Sequence, residues 1–339
     1  MRIGIIGCGE IGSLRAAALK RLSVWRLQAV SDIDRTRGSA LSQRFGAGLE
    51  SNWRSLVERK DLDAVLVCTP PHLHAEMCIE ALSAGKHVLC EKPLARSSEE
   101  CRGILEVANK NRRFLATGFN YRFFPSIQKA RKLLDSGLIG ALDHIQSYAG
   151  YSAADQDHPW IHNVEVTGGG ALRDNGIHLI DLTRYFLGEI TEAQGIATNS
   201  VWGFQGCEDN GFLLMRSAAG RTASLHASWT EWRKYRFVIE IYASRGCIRA
   251  SCFPMLTTAI WREAGNRGTH RRTHWFPGVH LMEHFHSYRW VAIQSFVREL
   301  QDFSEAIQGH TATLATGFDG MRAIEIAESA SRHFKTLSC

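Results

Sequence analysis

Short apolar runs and longer stretches of helical period alternate along the first third of the chain. The runs Arg2 to Ile6, Leu27 to Val30, Ala64 to Cys68, His87 to Cys90 and Phe114 to Gly118 have the length and β-branching of strands buried on both faces. Helical spacing fills the gaps, through about Leu22, from Asp34 to Phe45, from Trp53 to Arg59, to about Ala84, and from a Ser97-Ser98-Glu99-Glu100 capping box to about Asn111. A short strand near Gly48 to Glu50 completes a pattern that predicts a parallel sheet. The rest of the chain changes character. A helix is expected from Phe124 to Gly140, a strand from His144 to Tyr151, and a helix through Leu172, Ile177, Ile180 and Leu187. Strand-like runs follow at Thr191–Val201, Asn210–Arg216, Thr222–Trp229, Arg236–Ala243 and Cys247–Ser251, with turns at Gly206, Gly220 and Arg245-Gly246. They read as an antiparallel meander with one helix-covered face. If Trp202, Trp229, Trp232 and Tyr235 crowd the other face, a partner subunit should cover it. Closing helices are expected at Val291–Ile307 and Gly320–Phe334. The pattern gives an α/β fold with domains at 1–121 and 122–312, and a C-terminal helix within 313–339 that returns to the first domain.

The first strand stops at Gly7-Cys8-Gly9-Glu10-Ile11-Gly12, and the second ends at Asp32, twenty positions after the last glycine. Each residue type has its own part in holding a dinucleotide. Gly7 makes the tight turn, Gly9 lets backbone approach a pyrophosphate, Gly12 lets helix and strand pack, and Glu10 and Ile11 open the helix whose N–H groups face the phosphates. Asp32 is placed to accept from ribose hydroxyls and to repel a 2′-phosphate, which points to NAD. Arg35 and Arg37 lie just beyond and keep NADP open. The expected first domain is therefore a Rossmann fold.

Residues at the carboxyl ends of parallel strands face the cofactor crevice. Thr69, Pro70 and His72 end one strand and are candidates for the nicotinamide side, whereas His74 reads as a solvated residue at a helix start. Glu91-Lys92-Pro93 ends the next strand, where the lysine either is solvated in the turn or aims its ammonium into the same crevice. In the second half, Gly168-Gly169-Gly170 leads into a segment where Asp174 and His178 are four apart and share a helical face, which Asp181 continues. A carboxylate beside an imidazole fixes its tautomer and readies it to pass a proton near neutral pH.

Composition adds limits. The chain has 339 residues, 45% hydrophobic and 22% charged, with a formal net charge of +6. Without a Lys/Arg block interleaved with aromatics, nucleic-acid binding is not expected, and no apolar stretch reaches membrane-spanning length. Nine scattered cysteines with no Cys-x-x-Cys pair fit a reducing, cytoplasmic setting, and the glycine-broken N-terminus does not read as a signal peptide. His280-Leu281-Met282-Glu283-His284 fits an inverted zinc pattern, but Pro277-Gly278 precedes it and no third ligand is evident, so no metal is expected.

Taken in order, the glycine turn, Thr69-Pro70-Pro71, Gly85-Lys86-His87-Val88-Leu89-Cys90-Glu91-Lys92-Pro93, Gly118-Phe119-Asn120-Tyr121-Arg122-Phe123 and the Gly168 to Asp181 stretch resemble the glucose–fructose oxidoreductase/inositol dehydrogenase/rhizopine-catabolism (Gfo/Idh/MocA) family over essentially the whole chain. The resemblance implies a Rossmann domain followed by an α+β domain on an open, mainly antiparallel sheet, and assembly as a homodimer or homotetramer through that sheet. It implies NAD(P)-dependent oxidation or reduction of a sugar or cyclitol carbon, with Lys92, Asp174 and His178 catalytic and Glu91 beside the cofactor. Tyr121, Arg122, Trp160 and Asn175 are expected at the substrate. Tyr121-Arg122 stands where the family often has two arginines, and Trp160-Ile161 where many members have Trp-Arg, so the substrate of a relative does not carry over. The resemblance leaves two other activities open, a glycoside hydrolase that uses bound NAD without net redox change, and a regulator without chemistry.

Overall fold

The computed structural model describes residues 1–155, 159–263, 265, 268–279 and 288–331. It divides into two compact units, Met1–Asn120 with His286–Ile324, and Tyr121–Phe285 with Glu325–Cys339.

The first unit alternates β1 (Arg2–Ile6), α1 (Glu10–Leu19), β2 (Arg26–Ser31), α2 (Arg35–Phe45), β3 (Gly48–Leu49), α3 (Trp53–Glu58), β4 (Ala64–Val67), α4 (His74–Ser83), β5 (His87–Glu91), α5 (Ser98–Lys110) and β6 (Leu115–Gly118). All neighbouring strands pair in parallel, in the order β3-β2-β1-β4-β5-β6. Ile3, Ile5, Val65, Leu66, Val67 and Val88 are fully enclosed, which is why β1, β4 and β5 read as unbroken apolar runs. The order reverses direction between β1 and β4, the place where a doubly wound sheet opens a crevice at its strand ends.

The second unit holds α6 (Pro125–Asp135), β7 (Leu142–Gly150), α7 (Val164–Thr167), a π-helical turn Leu172–Gly176, α8 (Ile177–Leu187), and strands β8 (Ile190–Thr198), β9 (Asn210–Ser217), β10 (Thr222–Ser228), β11 (Arg236–Ala243), β12 (Gly246–Cys252), β13 (Met255–Arg262) and β14 (Thr269–Trp275). The sheet order is β14-β13-β12-β11-β7-β10-β9-β8. The strands do not run as the simple antiparallel meander expected from the turns. β7 lies between β10 and β11, parallel to the first and antiparallel to the second, so the sheet is mixed although mostly antiparallel. Two further strands, β13 and β14, extend it. One face carries α6 and α8. The opposite face exposes Ile196, Phe212 and Leu214, which share a side by register. Trp202, Trp229, Trp232 and Tyr235 lie outside the strands, Trp202 between β8 and β9 and the other three between β10 and β11, and Trp229 is fully buried.

Two helices close the described chain, α9 (Tyr288–Ile307) and α10 (Gly317–Ser331). The expected range 122–312 placed α9 with the sheet domain. Instead, Trp25 stacks on Phe303 at 5.7 Å and donates through Nε1 to the Leu300 carbonyl at 2.9 Å, so α9 belongs with the first unit. An amphipathic helix shows only that it has an apolar partner, and the chain here passes back to an earlier one. Gly317 and Gly320 at the start of α10 lie against Leu115 and Thr117. The end of the expected helix, beyond Ser331, is outside the described residues, as is the His280–His284 pattern.

Candidate active site

In the first unit the turn after β1 is built for close approach. Gly7 has φ +93°, a conformation that favours glycine, and a Cβ there would stand 2.7 Å from the Cys68 carbonyl oxygen. A Cβ on Gly12 would run into the Gly7 carbonyl, whereas at Gly9 it would enter open space. Gly9 is the N-cap of α1 and no side chain caps this helix end, so its first N–H groups remain for a ligand. Asp32 is fixed beside the turn, accepting from the Cys8 N–H at 2.6 Å and the Asp34 N–H at 2.7 Å. Arg37 sits 3.0 Å from Asp34 and 3.8 Å from Asp32. An open cradle, an uncapped helix start and a carboxylate fit a dinucleotide with a free ribose 2′-hydroxyl. Glu10 and Ile11 are exposed on the first turn of α1.

The adjacent strand ends are tied together. Thr69 and Pro70 are half-buried at the end of β4, while His72 is exposed. His74, expected in solvent, is fully buried and stitches two turns: Nδ1 lies 2.9 Å from the Pro93 carbonyl and Nε2 2.7 Å from the Thr69 carbonyl. Burial lowers its pKa, with those carbonyls opposing. Lys92 is half-buried between the end of β5 and Pro93. Glu91 does not stand alone, because the fully buried Arg15 donates to it through Nε at 2.7 Å and also pairs with Glu299. Burial works to lower the Arg15 pKa, but the two carboxylates outweigh it and raise it. Arg15, Glu299 and the role of His74 gave no signal in the sequence, since their partners are distant along the chain.

In the second unit the glycine run ends in a π turn. The Glu208 carboxylate, buried, accepts from the Gly170 and Leu172 N–H groups at 2.8 Å each, and the Ala171 N–H donates to the Glu208 carbonyl at 2.9 Å. Burial raises the pKa of Glu208. A Cβ on Gly170 would collide with the Glu208 backbone, which explains the need for glycine there. A single regular helix was expected; the π turn replaces its first part, because these N–H groups find a side-chain acceptor from β9's approach. On that turn Asp174 accepts from the Tyr151 hydroxyl at 2.6 Å and from Trp229 Nε1 at 3.3 Å. Burial and then Asp174 raise the Tyr151 pKa, so its hydroxyl stays a donor.

His178 is buried and stacks on Tyr121 with ring centres 4.2 Å apart. The Tyr121 and Tyr235 hydroxyls are 2.8 Å apart, and Tyr235 reaches Asn175 Oδ1 at 3.4 Å. Asp181 binds Arg122 in a two-point ion pair, Nε at 2.9 Å and Nη2 at 2.6 Å, so Arg122 is anchored inside the unit. Trp160 is 40% exposed on a short 3-10 segment. This unit therefore gathers Asp174, Asn175, His178 and Tyr121 into one cluster, to which Tyr151, Trp229 and Tyr235 are additions that sequence spacing does not reveal.

Comparison with known proteins decides the family. Residues 1–119 match the model of the GFO/IDH/MocA oxidoreductase family, NAD-binding Rossmann fold, and residues 127–249 match the GFO/IDH/MocA C-terminal domain. The chain belongs to this family. Among GFO/IDH/MocA proteins it is 30% identical to myo-inositol 2-dehydrogenase of Thermotoga maritima and 28% identical to inositol 2-dehydrogenase of Rhizobium meliloti, each over 98% of this chain and 96% of the relative. A solved levoglucosan dehydrogenase, in complex with NADH and levoglucosan, superposes with a TM-score of 0.85 at 26% identity over 98% of this chain and 97% of that one. The GFO/IDH/MocA assignment makes the chain an NAD-dependent oxidoreductase, with its first unit the NAD-binding fold.

Proposed function

We propose that the protein transfers hydride between NAD and a secondary alcohol or ketone carbon of a sugar, sugar derivative or cyclitol. The observation that carries this reading is Asp174, four residues before His178, with its carboxylate held by Tyr151 and Trp229. Dehydrogenation of a carbinol needs a group to take the hydroxyl proton and a charge to steady the oxygen. His178 is assigned the proton, Asp174 orients and supports it, and Lys92 stabilises the developing alkoxide. Bound NAD, seated over Gly7 to Gly12 with Asp32 on its ribose and Thr69, Pro70, His72 and Glu91 around it, supplies the redox chemistry. Tyr121, Asn175 and Trp160 are assigned to the substrate. Arg122, whose guanidinium is held by Asp181, is assigned to the substrate with them. The relatives named for inositol and levoglucosan support the sugar or cyclitol class.

The eight described cysteines, none in a disulfide, support a reducing, cytoplasmic setting, and no described helix is long and apolar enough to cross a membrane. Exposed Ile196, Phe212 and Leu214 support assembly as a homodimer or homotetramer through the open sheet.

A panel of inositols, aldoses and uronic acids with NAD tests the reading by absorbance of the reduced nicotinamide. At least one should yield NADH, and His178→Ala and Lys92→Ala should each lower turnover about a hundred- to ten-thousand-fold while NADH binds as before. Glycoside cleavage without NADH accumulation would move the assignment to the hydrolytic alternative.

A further inference from the structure

A cavity of about 720 Å³ opens in the second unit where β11 begins, β12 ends and β13 begins. Four of its lining residues are cations, Arg233, Lys234, Arg236 and Arg249, and none is acidic. The nearby carboxylates do not balance them. Glu231 pairs with both Arg233 and Arg236, and Glu240 pairs with Arg249, so four positive charges meet two negative ones. Glu231 stays ionised between its arginines. Burial works to raise its pKa, yet hydrogen bonds from Arg233, Arg236 and Tyr148 outweigh it and bring it down to about 2. Lys234 has no ion-pair partner among the described residues and stands at φ +70°. That conformation is uncommon for a residue with a Cβ and recurs at ligand clamps. Val238, Phe253 and Leu256 make part of the remaining wall apolar, while the cations stand at its solvent side, with 75% of the Arg233 side chain and 53% of the Arg249 side chain exposed.

Tyr235 joins this cavity to the cluster described above. It lines the cavity and its hydroxyl contacts Tyr121 and Asn175, with Tyr121 stacked on His178. We propose that the cavity is an anion subsite in which Lys234, Arg233 and Arg249 hold a phosphate or carboxylate carried by the sugar or cyclitol. The substrate class is then an acidic or phosphorylated polyol. Only the placing of the reacting carbon at His178 rests on the dehydrogenase reading; the anion site itself does not.

The test is calorimetric and uses the full chain with saturating NAD, so that the glycine turn is filled. Ligands are inorganic phosphate, a hexose phosphate, the corresponding uronate and the neutral hexose. The wild type is expected to bind at least one of the two anionic sugars about tenfold or more tightly than the neutral one, with the phosphate and uronate arms telling the two headgroups apart. Lys234→Ala and Arg249→Ala should each weaken that anion roughly tenfold, leave the neutral sugar unchanged, and be rescued in part by Lys234→Arg. His178→Ala should keep the anion preference, since binding needs no turnover. Equal affinity for charged and neutral sugars, or equal losses on both in the variants, would overturn the proposal while polyol turnover could stand. Altered oligomer size on sedimentation with unaltered anion affinity would also overturn it, assigning the cations to a contact between copies. Anion binding with no polyol oxidation would leave the subsite and remove the dehydrogenase reading.

Discussion

Asp174 receives two side-chain donors of unequal strength, a tyrosine hydroxyl at 2.6 Å and an indole N–H at 3.3 Å. The shorter bond, in a buried setting, contributes most to holding the carboxylate. Tyr151→Phe is therefore expected to reduce kcat by about tenfold, and Asp174→Asn, which removes the charge, by a hundredfold or more. NADH affinity should be unchanged in both. Steady-state kinetics with whichever polyol the panel identifies checks the order, and equal losses would show that the tyrosine and the carboxylate act as one unit. On the cofactor side, Asp32 has two backbone donors and Arg37 keeps company with Asp34, while Arg35 is exposed on the first turn of α2.

Among the elements, the π turn depends on a residue far along the chain. Glu208 supplies both carboxylate oxygens to the Gly170 and Leu172 N–H groups, in a place where water does not substitute. Glu208→Gln turns one acceptor into a donor facing a donor. The expected cost is about 1–3 kcal/mol of stability, read as a lower midpoint in chemical denaturation, with a fall in activity if the turn carries Asp174 as proposed. In the first unit the corresponding device is the buried Arg15, which joins α1, the end of β5 and α9 through Glu91 and Glu299.

Across the molecule, one buried and two half-buried histidines set a pH response. Burial lowers the pKa of His74, His87 and His226 in the folded chain. At His87 the neighbouring Arg113 adds to burial, and the ring's Nδ1 accepts from the Phe114 N–H at 2.9 Å, which a protonated ring could not do. The unfolded chain binds protons at these residues near pH 6.5 while the folded chain resists them. The stability they lend is full above that pH and drains away as pH falls below it. The thermal midpoint should drop between about pH 7.5 and about pH 5.5, and His87→Asn, able to keep an acceptor without titrating, should flatten the drop. A midpoint independent of pH over that window would show that these rings protonate as readily folded as unfolded.

Local signals sufficed for the parallel sheet and the glycine turn of the first unit: buried runs, the three glycines and Asp32 are contiguous or nearly so, and each reports its own geometry through sterics or period. The spacing of Asp174 and His178 presumed one regular helix, and the π turn at Leu172–Gly176 replaces its first part. Other features depended on pairings that spacing does not encode. β7 intrudes between β10 and β11, and β14 reads as the polar edge Thr-His-Arg-Arg-Thr-His-Trp without a hydrophobic period. α9 returns to Trp25, whose partner Leu300 lies 275 residues further along the chain. The donors to Asp174, the cap from Glu208, the burial of His74 and the cation-lined cavity belong to the same class. A sequence determines which face of an element is apolar and which backbone a glycine permits; only the folded chain decides which distant groups meet across that face, because desolvation and hydrogen-bond satisfaction are settled by the whole packing at once.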